Sequence, residues 1–200
     1  MPENSAWAWK PDLPINETAR LEALRRYEIL DTAPEQEFDD LTLLAAQVCD
    51  VPIALISLVD SDRQWFKSKI GTTMEGSSRE ISFCGHAILQ PELFVVPDTS
   101  TDVRFATNPL VTAEPHIRFY AGAPLTTTEG QAIGTLCVID RRRRELTEQQ
   151  REALNALKRQ VMRQLEIRSC IADLKRLVSE GDRVSDQLNR LSKKFTYRVS

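Results

Sequence analysis

The chain has 200 residues, of which 42% are hydrophobic and 28% charged, with a formal net charge of −3. This balance excludes wholesale disorder, and the length suits one compact domain plus an extended segment better than two large domains. No run approaches the ~18 apolar residues of a membrane span, and the start lacks the basic flank and apolar run of a secretory signal, so a cytoplasmic protein with no membrane partner is expected.

The charge is uneven. Residues 1–140 hold 10 basic and 21 acidic residues, whereas residues 141–200 hold 16 basic and 8 acidic. The basic C-terminal part can attract an acidic partner or the acidic domain itself. Four cysteines, Cys49, Cys84, Cys137 and Cys170, are widely separated without paired metal-ligand spacing, which predicts reduced thiols and no metal.

Residues 1–16 carry Trp7 and Trp9 among prolines and read as an irregular arm. TARLEALRRYEILD predicts a helix ending near Asp31, with Ala19, Leu21, Leu24 and Ile29 or Leu30 near one side. A second helix follows Thr32, with Pro34 in its first turn and Phe38, Leu41, Leu44, Ala45 and Val48 as its buried side.

VPIALISLVD, residues 51–60, is apolar and β-branched enough for a strand, and Asp60-Ser61-Asp62 supplies a turn into RQWFKSKI. Alternation in that second strand sets Gln64, Phe66 and Ser68 on one face and Trp65, Lys67 and Lys69 on the other. GTTMEGSSREIS reads as a loop leading into a short helix at SFCGHAILQ, and LFVVPD as a short strand ended by Pro97. DVRFA is expected to form a helical turn within an irregular stretch. IRFYAGAPL and QAIGTLCVID are strands joined by a turn at Gly130.

Thr147 is the expected N-cap of a long helix, with Gln150 at the reciprocal position of a capping box. Leu154, Leu157, Val161 and Leu165 can cover the domain. Beyond them Ile167, Cys170, Leu174, Leu177, Gly181, Val184, Leu188 and Leu191 alternate in steps of three and four, as in a helix that pairs with a second helix. A straight helix from Thr147 to Leu191 would run about 68 Å at 1.5 Å per residue. A parallel homodimer is the leading expectation, and a fold-back near Gly181 is the structural alternative, because a lone helix would leave the seam in water. The expected organisation is an arm over 1–16, a domain over 17–160, a pairing helix over 161–192 and a tail over 193–200.

Four segments in order, RLEALRRYEILDTAPEQEFDDLTLLAAQVCDVPIALISLVDSDRQWFKSKIG, SREISFCGHAI, VVPDTSTDVRFATNPLVTAEPHIRFYAGAPL and GQAIGTLCVIDRRRRELTEQQREALNAL, closely resemble a GAF domain of the bacterial sensor type over approximately residues 20–157. The resemblance implies an α+β fold with a central antiparallel sheet of five to six strands, terminal helices on one face, and a ligand-sized cavity under loops on the other. It also implies a C-terminal helix that continues as a signalling coil toward an output domain, such as a histidine kinase of a two-component system or a diguanylate cyclase. The function so implied is a non-catalytic sensory and regulatory module.

Cys84 and His86 form the most reactive-looking pair, but two-residue helical spacing points them about 200° apart, against a shared nucleophilic or metal centre. Relatives that attach a bilin do so through a cysteine often followed immediately by histidine, whereas Gly85 intervenes here. The family's free methionine-sulfoxide reductases use several cysteines, so a Cys84-dependent thiol enzyme is one alternative. A cyclic nucleotide or other metabolite is a second, with Cys84, His86, Asp98, Asp102, Arg104, Phe105, Phe119 and Tyr120 as candidate pocket residues. Equally, Phe105 and Phe119 can fill the core, Asp98 cap a turn and Arg104 make a structural ion pair. A purely structural dimerisation module is a third alternative. Arg141 to Arg144 read as a solvated turn with intramolecular ion pairs, so no nucleic-acid partner is expected, nor any cofactor or catalytic residue.

Overall fold

The computed structural model describes residues 10–196. Its elements in chain order are α1 (Glu17–Arg26), α2 (Gln36–Cys49), β1 (Ile53–Val59), β2 (Arg63–Ile70), β3 (Gly76–Ser78), a 3-10 turn (Arg79–Ile81), α3 (Phe83–Ala87), β4 (Phe94–Val96), α4 (Pro109–Thr112), β5 (Phe119–Thr126), β6 (Ala132–Asp140) and α5 (Glu148–Thr196). The strands form one antiparallel sheet in the order β3-β2-β1-β6-β5-β4. Its edges are the two three-residue strands, short enough to offer little template for further pairing. β1 and β6 lie at the centre and are buried on both faces, which is why their sequences are nearly continuous apolar runs rather than alternating ones.

One face packs under α1, α2 and the first part of α5 through Leu24, Phe38, Ala45, Ile56, Leu136, Val138, Leu154, Val161 and Leu165. The other packs under α3, α4 and their loops through Leu55, Phe66, Phe83, Phe105, Ile117, Tyr120 and Cys137. The chain divides into a compact unit ending at Leu165 and a second unit beginning at Glu166. The described residues of that second unit are helical, and Ile167, Ile171, Leu174, Leu177, Val178 and Val184 are all exposed there. α5 is helical through Gly181, so the intramolecular fold-back expected as an alternative there does not occur. The capping box forms: Gln150 N donates to Thr147 Oγ1 at 3.2 Å, and Thr147 N donates to Gln150 Oε1 at 3.0 Å.

Several local expectations change. α1 ends at Arg26, and Ile29 reaches the core from a turn in which Glu28 and Asp31 have positive φ. Pro34 precedes α2 rather than occupying its first turn. The buried side of α2 is Phe38, Thr42, Ala45, Ala46 and Cys49, while Leu44 and Val48 are exposed. Two alanines allow the helix close to the sheet, and Thr42 Oγ1 donates to Phe38 O, so the hydroxyl is buried with its hydrogen bond made.

In β2 the register shifts opposite Ile56 and Ser57, so that Phe66 pairs with Ser57 and Ser68 with Ile56. The shift breaks the expected Gln64/Phe66/Ser68 face: Ser68 Oγ donates to Asp39 of α2 at 2.6 Å, while Phe66 joins the opposite core. The helical turn expected at 102–106 does form, Phe105 N and Ala106 N both donating to Asp102 O at 2.9 Å, whereas α4 is unexpected and follows Asn108, whose side chain caps Leu110 N at 2.8 Å. Trp7 and Trp9 lie outside the described residues, as do the side chains of Leu188 and Leu191.

Candidate functional site

The face opposite the terminal helices carries a cavity of about 40 Å³ lined by Ile53, Leu55, Gln64, Phe66, Thr72, Met74, Phe83, Cys84, Leu110, Pro115, Ile117, Tyr120 and Ile139. No lining residue carries a formal charge. An adjoining open cleft of about 450 Å³ shares Ile53, Thr72, Met74 and Pro115 with it and adds Glu114 and Arg141 at the mouth.

α3 holds one wall. Ser82 caps this helix, its Oγ accepting from Gly85 N at 3.0 Å and donating to Gln64 Oε1 at 2.7 Å. Gly85 is required by close approach, since a Cβ there would fall 2.6 Å from Pro11 Cγ. Phe83 stacks on Phe105 at 4.3 Å and on Tyr120 at 5.2 Å, which locks the wall to β5.

Cys84 brings together residues distant in sequence. Its Sγ lies 3.9 Å from Cys137 Sγ and accepts from Tyr120 Oη at 3.4 Å, all within the buried core. Thr135 Oγ1 is buried without a full hydrogen bond, in the same polar island as these groups. Burial opposes ionisation of Cys84, but hydrogen bonding to its sulfur from Cys137 and Tyr120 outweighs it and holds the thiol below its ordinary value. Sharing its hydrogen with Cys84 and burial push Cys137 well up, and burial does the same to Tyr120. The first proton to leave this island is therefore that of Cys84.

Of the eight residues singled out from the sequence, Cys84 and Tyr120 line the cavity. His86 sits edge-on to Phe105 at 4.8 Å, and Phe105 is buried behind Phe83. Arg104 lies over the rings of Phe94 and Phe105 while pairing with Asp102 at 2.6 Å, and the guanidinium holds the Asp102 carboxyl below its usual range. Asp98 is a half-buried turn residue that accepts from Ser100. Phe119 belongs to the core under the terminal helices, because alternation along β5 sends it and Tyr120 to opposite faces, so it does not line the cavity. Gln64, Thr72, Met74 and Pro115 went unnoticed in the sequence, where nothing distinguishes them from ordinary strand and loop residues.

The arginine turn is engaged internally. Arg144 pairs with Asp140 and, at 3.5 Å, with Asp50, Arg143 with Glu145 at 3.6 Å, and Arg141 donates to Pro115 O at 2.9 Å. It lines an open groove of about 750 Å³ beside the end of α2, where those carboxylates offset the cations. Among the described residues no group of three or more His, Cys, Asp or Glu could hold a metal ion, and no helix is long and apolar enough to cross a membrane.

Comparison with known proteins agrees with this architecture. The GAF domain profile matches residues 33–165. A cyclic di-GMP phosphodiesterase of Pseudomonas aeruginosa is 44% identical over 131 residues, which is 66% of this chain but only 22% of that protein. The GAF domain of an Acinetobacter phosphoenolpyruvate-protein phosphotransferase superposes with a TM-score of 0.56 at 18% identity, covering 77% of this chain and 95% of that one. The free methionine-R-sulfoxide reductase of Neisseria meningitidis superposes at 0.55 with 16% identity, covering 82% and 99%. At these identities the two structures share the fold alone. With more than half of its length matched by the family profile, a six-stranded antiparallel sheet and a loop-covered cavity opposite its terminal helices, the chain belongs to the GAF family of sensory and regulatory domains.

Proposed function

We propose that two copies of the chain pair in parallel through α5 and that the paired helices pass a signal from the sensory domain to an output domain or partner protein. The observation that carries this reading is the apolar stripe of the second unit. Ile167, Leu174, Leu177 and Val184 are between 53% and 64% exposed, and the exposed Cys170 lies among them. Ile171 and Val178, also exposed, widen the stripe beyond the seam read from the sequence, since 167-171-174-178 is itself a four-three-four alternation. An apolar surface of this length is costly in water, and a second copy of the same helix matches its spacing.

The same helix carries Leu154, Val161 and Leu165 into the domain core. A change of packing in the sensory domain therefore acts on an element that also bears the pairing stripe. The relation to a cyclic di-GMP phosphodiesterase favours an enzyme of cyclic-dinucleotide metabolism as the output. The stimulus favoured by the cavity is a small neutral molecule. At about 40 Å³ it is roughly a tenth of a typical drug-sized ligand site, and it offers no cation to a phosphate, which argues against a cyclic nucleotide in this conformation.

Sedimentation equilibrium of the full chain tests the pairing. The expected result is a dimer that Leu174→Glu with Leu177→Glu converts to a folded monomer. A monomeric wild-type chain across the micromolar range would overturn it.

A further inference from the structure

We propose that Cys84 and Cys137 form a peroxide-oxidisable dithiol in the sensory cavity, closing to a disulfide when a small hydroperoxide enters. The inference starts from geometry. The two sulfurs are 3.9 Å apart across α3 and β6, and a disulfide requires about 2.05 Å, so closure needs roughly 1.9 Å of approach. Cys84 lines the cavity, whereas Cys137 is in the buried core and does not, which assigns Cys84 as the thiol that attacks the peroxide and Cys137 as the resolving one.

The surroundings fit that division. A space of about 40 Å³ accommodates something near the size of a water molecule, which hydrogen peroxide matches and a larger metabolite does not. Gln64 and Tyr120 supply polar groups in an otherwise mainly apolar lining, and the adjoining cleft at Thr72, Met74 and Pro115 provides the way in. Cys84 is the more acidic thiol of the two, although the geometry of the pair is what the proposal requires.

The chemistry balances in two steps. The Cys84 thiolate attacks one peroxide oxygen, the O–O bond breaks, and the departing hydroxide takes up the proton released by Cys84, leaving a sulfenic acid and one water. The Cys137 sulfur then attacks the Cys84 sulfur, the S–O bond breaks, and the hydroxyl leaves as a second water with the Cys137 proton. Two electrons pass from the two sulfurs to hydrogen peroxide. Closure draws the Cys84 end of α3 toward β6 and disturbs the stacking of Phe83 on Phe105 and Tyr120, which gives the sensory domain two distinct packings.

This chemistry deepens the sensory reading but is measured independently of pairing. The full chain carrying Cys49→Ala and Cys170→Ala is treated with equimolar hydrogen peroxide, quenched by alkylation, and its thiols are counted after denaturation. Loss of both thiols, a mass lower by two hydrogens and recovery with dithiothreitol are expected. Adding Cys137→Ser should abolish the mass loss and leave a sulfenic acid at Cys84 that a dimedone-type reagent traps. The wild-type chain, digested without reduction, should yield the Cys84–Cys137 linked peptide, which guards against a folding defect in the variants. Two thiols surviving treatment, oxidation confined to Cys49 and Cys170 in the wild type, or overoxidation of Cys84 with Cys137 still free would overturn the proposal. A monomer that forms the disulfide would remove the pairing reading and leave this one standing.

Discussion

Glu17 is the carboxylate on which two buried guanidiniums depend. Arg20 Nε and Nη2 donate to its two oxygens at 2.8 and 2.7 Å, and Arg79 Nη1 and Nη2 donate at 2.5 and 3.2 Å. Arg20 is 1% exposed and Arg79 4%. Arg20 also donates to Val59 O, and Arg79 to Asp60 O, so the cluster pins α1 to the turn between β1 and β2. Burial opposes ionisation of Glu17, but hydrogen bonds and charge from Arg20 and Arg79 prevail and hold its carboxyl at about 2, against an ordinary 4.5.

We therefore expect Glu17→Gln to destabilise the domain. At about 1.4 kcal/mol per unit of pKa difference, the shift corresponds to at most about 3.4 kcal/mol, which solvent screening of the partly exposed carboxylate reduces to about 2 kcal/mol. Because the folded pKa is depressed, this contribution is complete above about pH 4.5 and is lost as the pH falls toward 2. Urea unfolding of both proteins from pH 7 to 2.5 measures it. The stability gap should hold near about 2 kcal/mol at pH 7 and shrink to roughly a quarter of that at pH 2.5. A gap below about 0.5 kcal/mol at pH 7, the range of an ordinary surface pair, or one independent of pH, would refute the reasoning.

Two further substitutions examine the sheet and the long helix. In Gly134→Ala the new Cβ would lie 2.2 Å from Ser57 O and 3.0 Å from Leu58 Cα, so a central pairing of β6 with β1 must shift, and a loss of about 2 to 3 kcal/mol is expected in urea unfolding; an unchanged midpoint would count against the close approach. Gly181→Ala meets nothing within 4 Å and removes a helix-weakening residue, so ellipticity at 222 nm should rise and thermal melting of α5 should move up, by an amount equivalent to about 1 kcal/mol. A fall in helicity would show that this part of α5 is not an ordinary helix interior.

Much of the architecture was legible in local pattern. The β2 run from Arg63 to Ile70, the turn at Gly130, the short helix at Phe83 and the Thr147–Gln150 capping box each depend on residues a few positions apart, and each forms where the sequence indicates. The four-three alternation beyond Leu165 is equally local, since helical geometry alone decides which residues share a stripe.

The functional site was less legible because it depends on contacts between distant segments. Register decides that Phe66 pairs with Ser57 after the β2 irregularity, and thereby which residues reach the cavity. Packing decides that α2 turns Thr42 and Ala46 beside the expected Ala45, rather than Leu44 and Val48, toward the sheet, because a helix can come close only where its side chains are small. Cys84 and Cys137 are 53 positions apart, and Glu17 and Arg79 are 62, yet each pair meets through the order of strands in one sheet. Hydrogen-bonding pattern and hydrophobic period act over a few residues and are written in the sequence, whereas the small volume of the cavity and the meeting of its thiols arise only when separate elements pack against a common sheet.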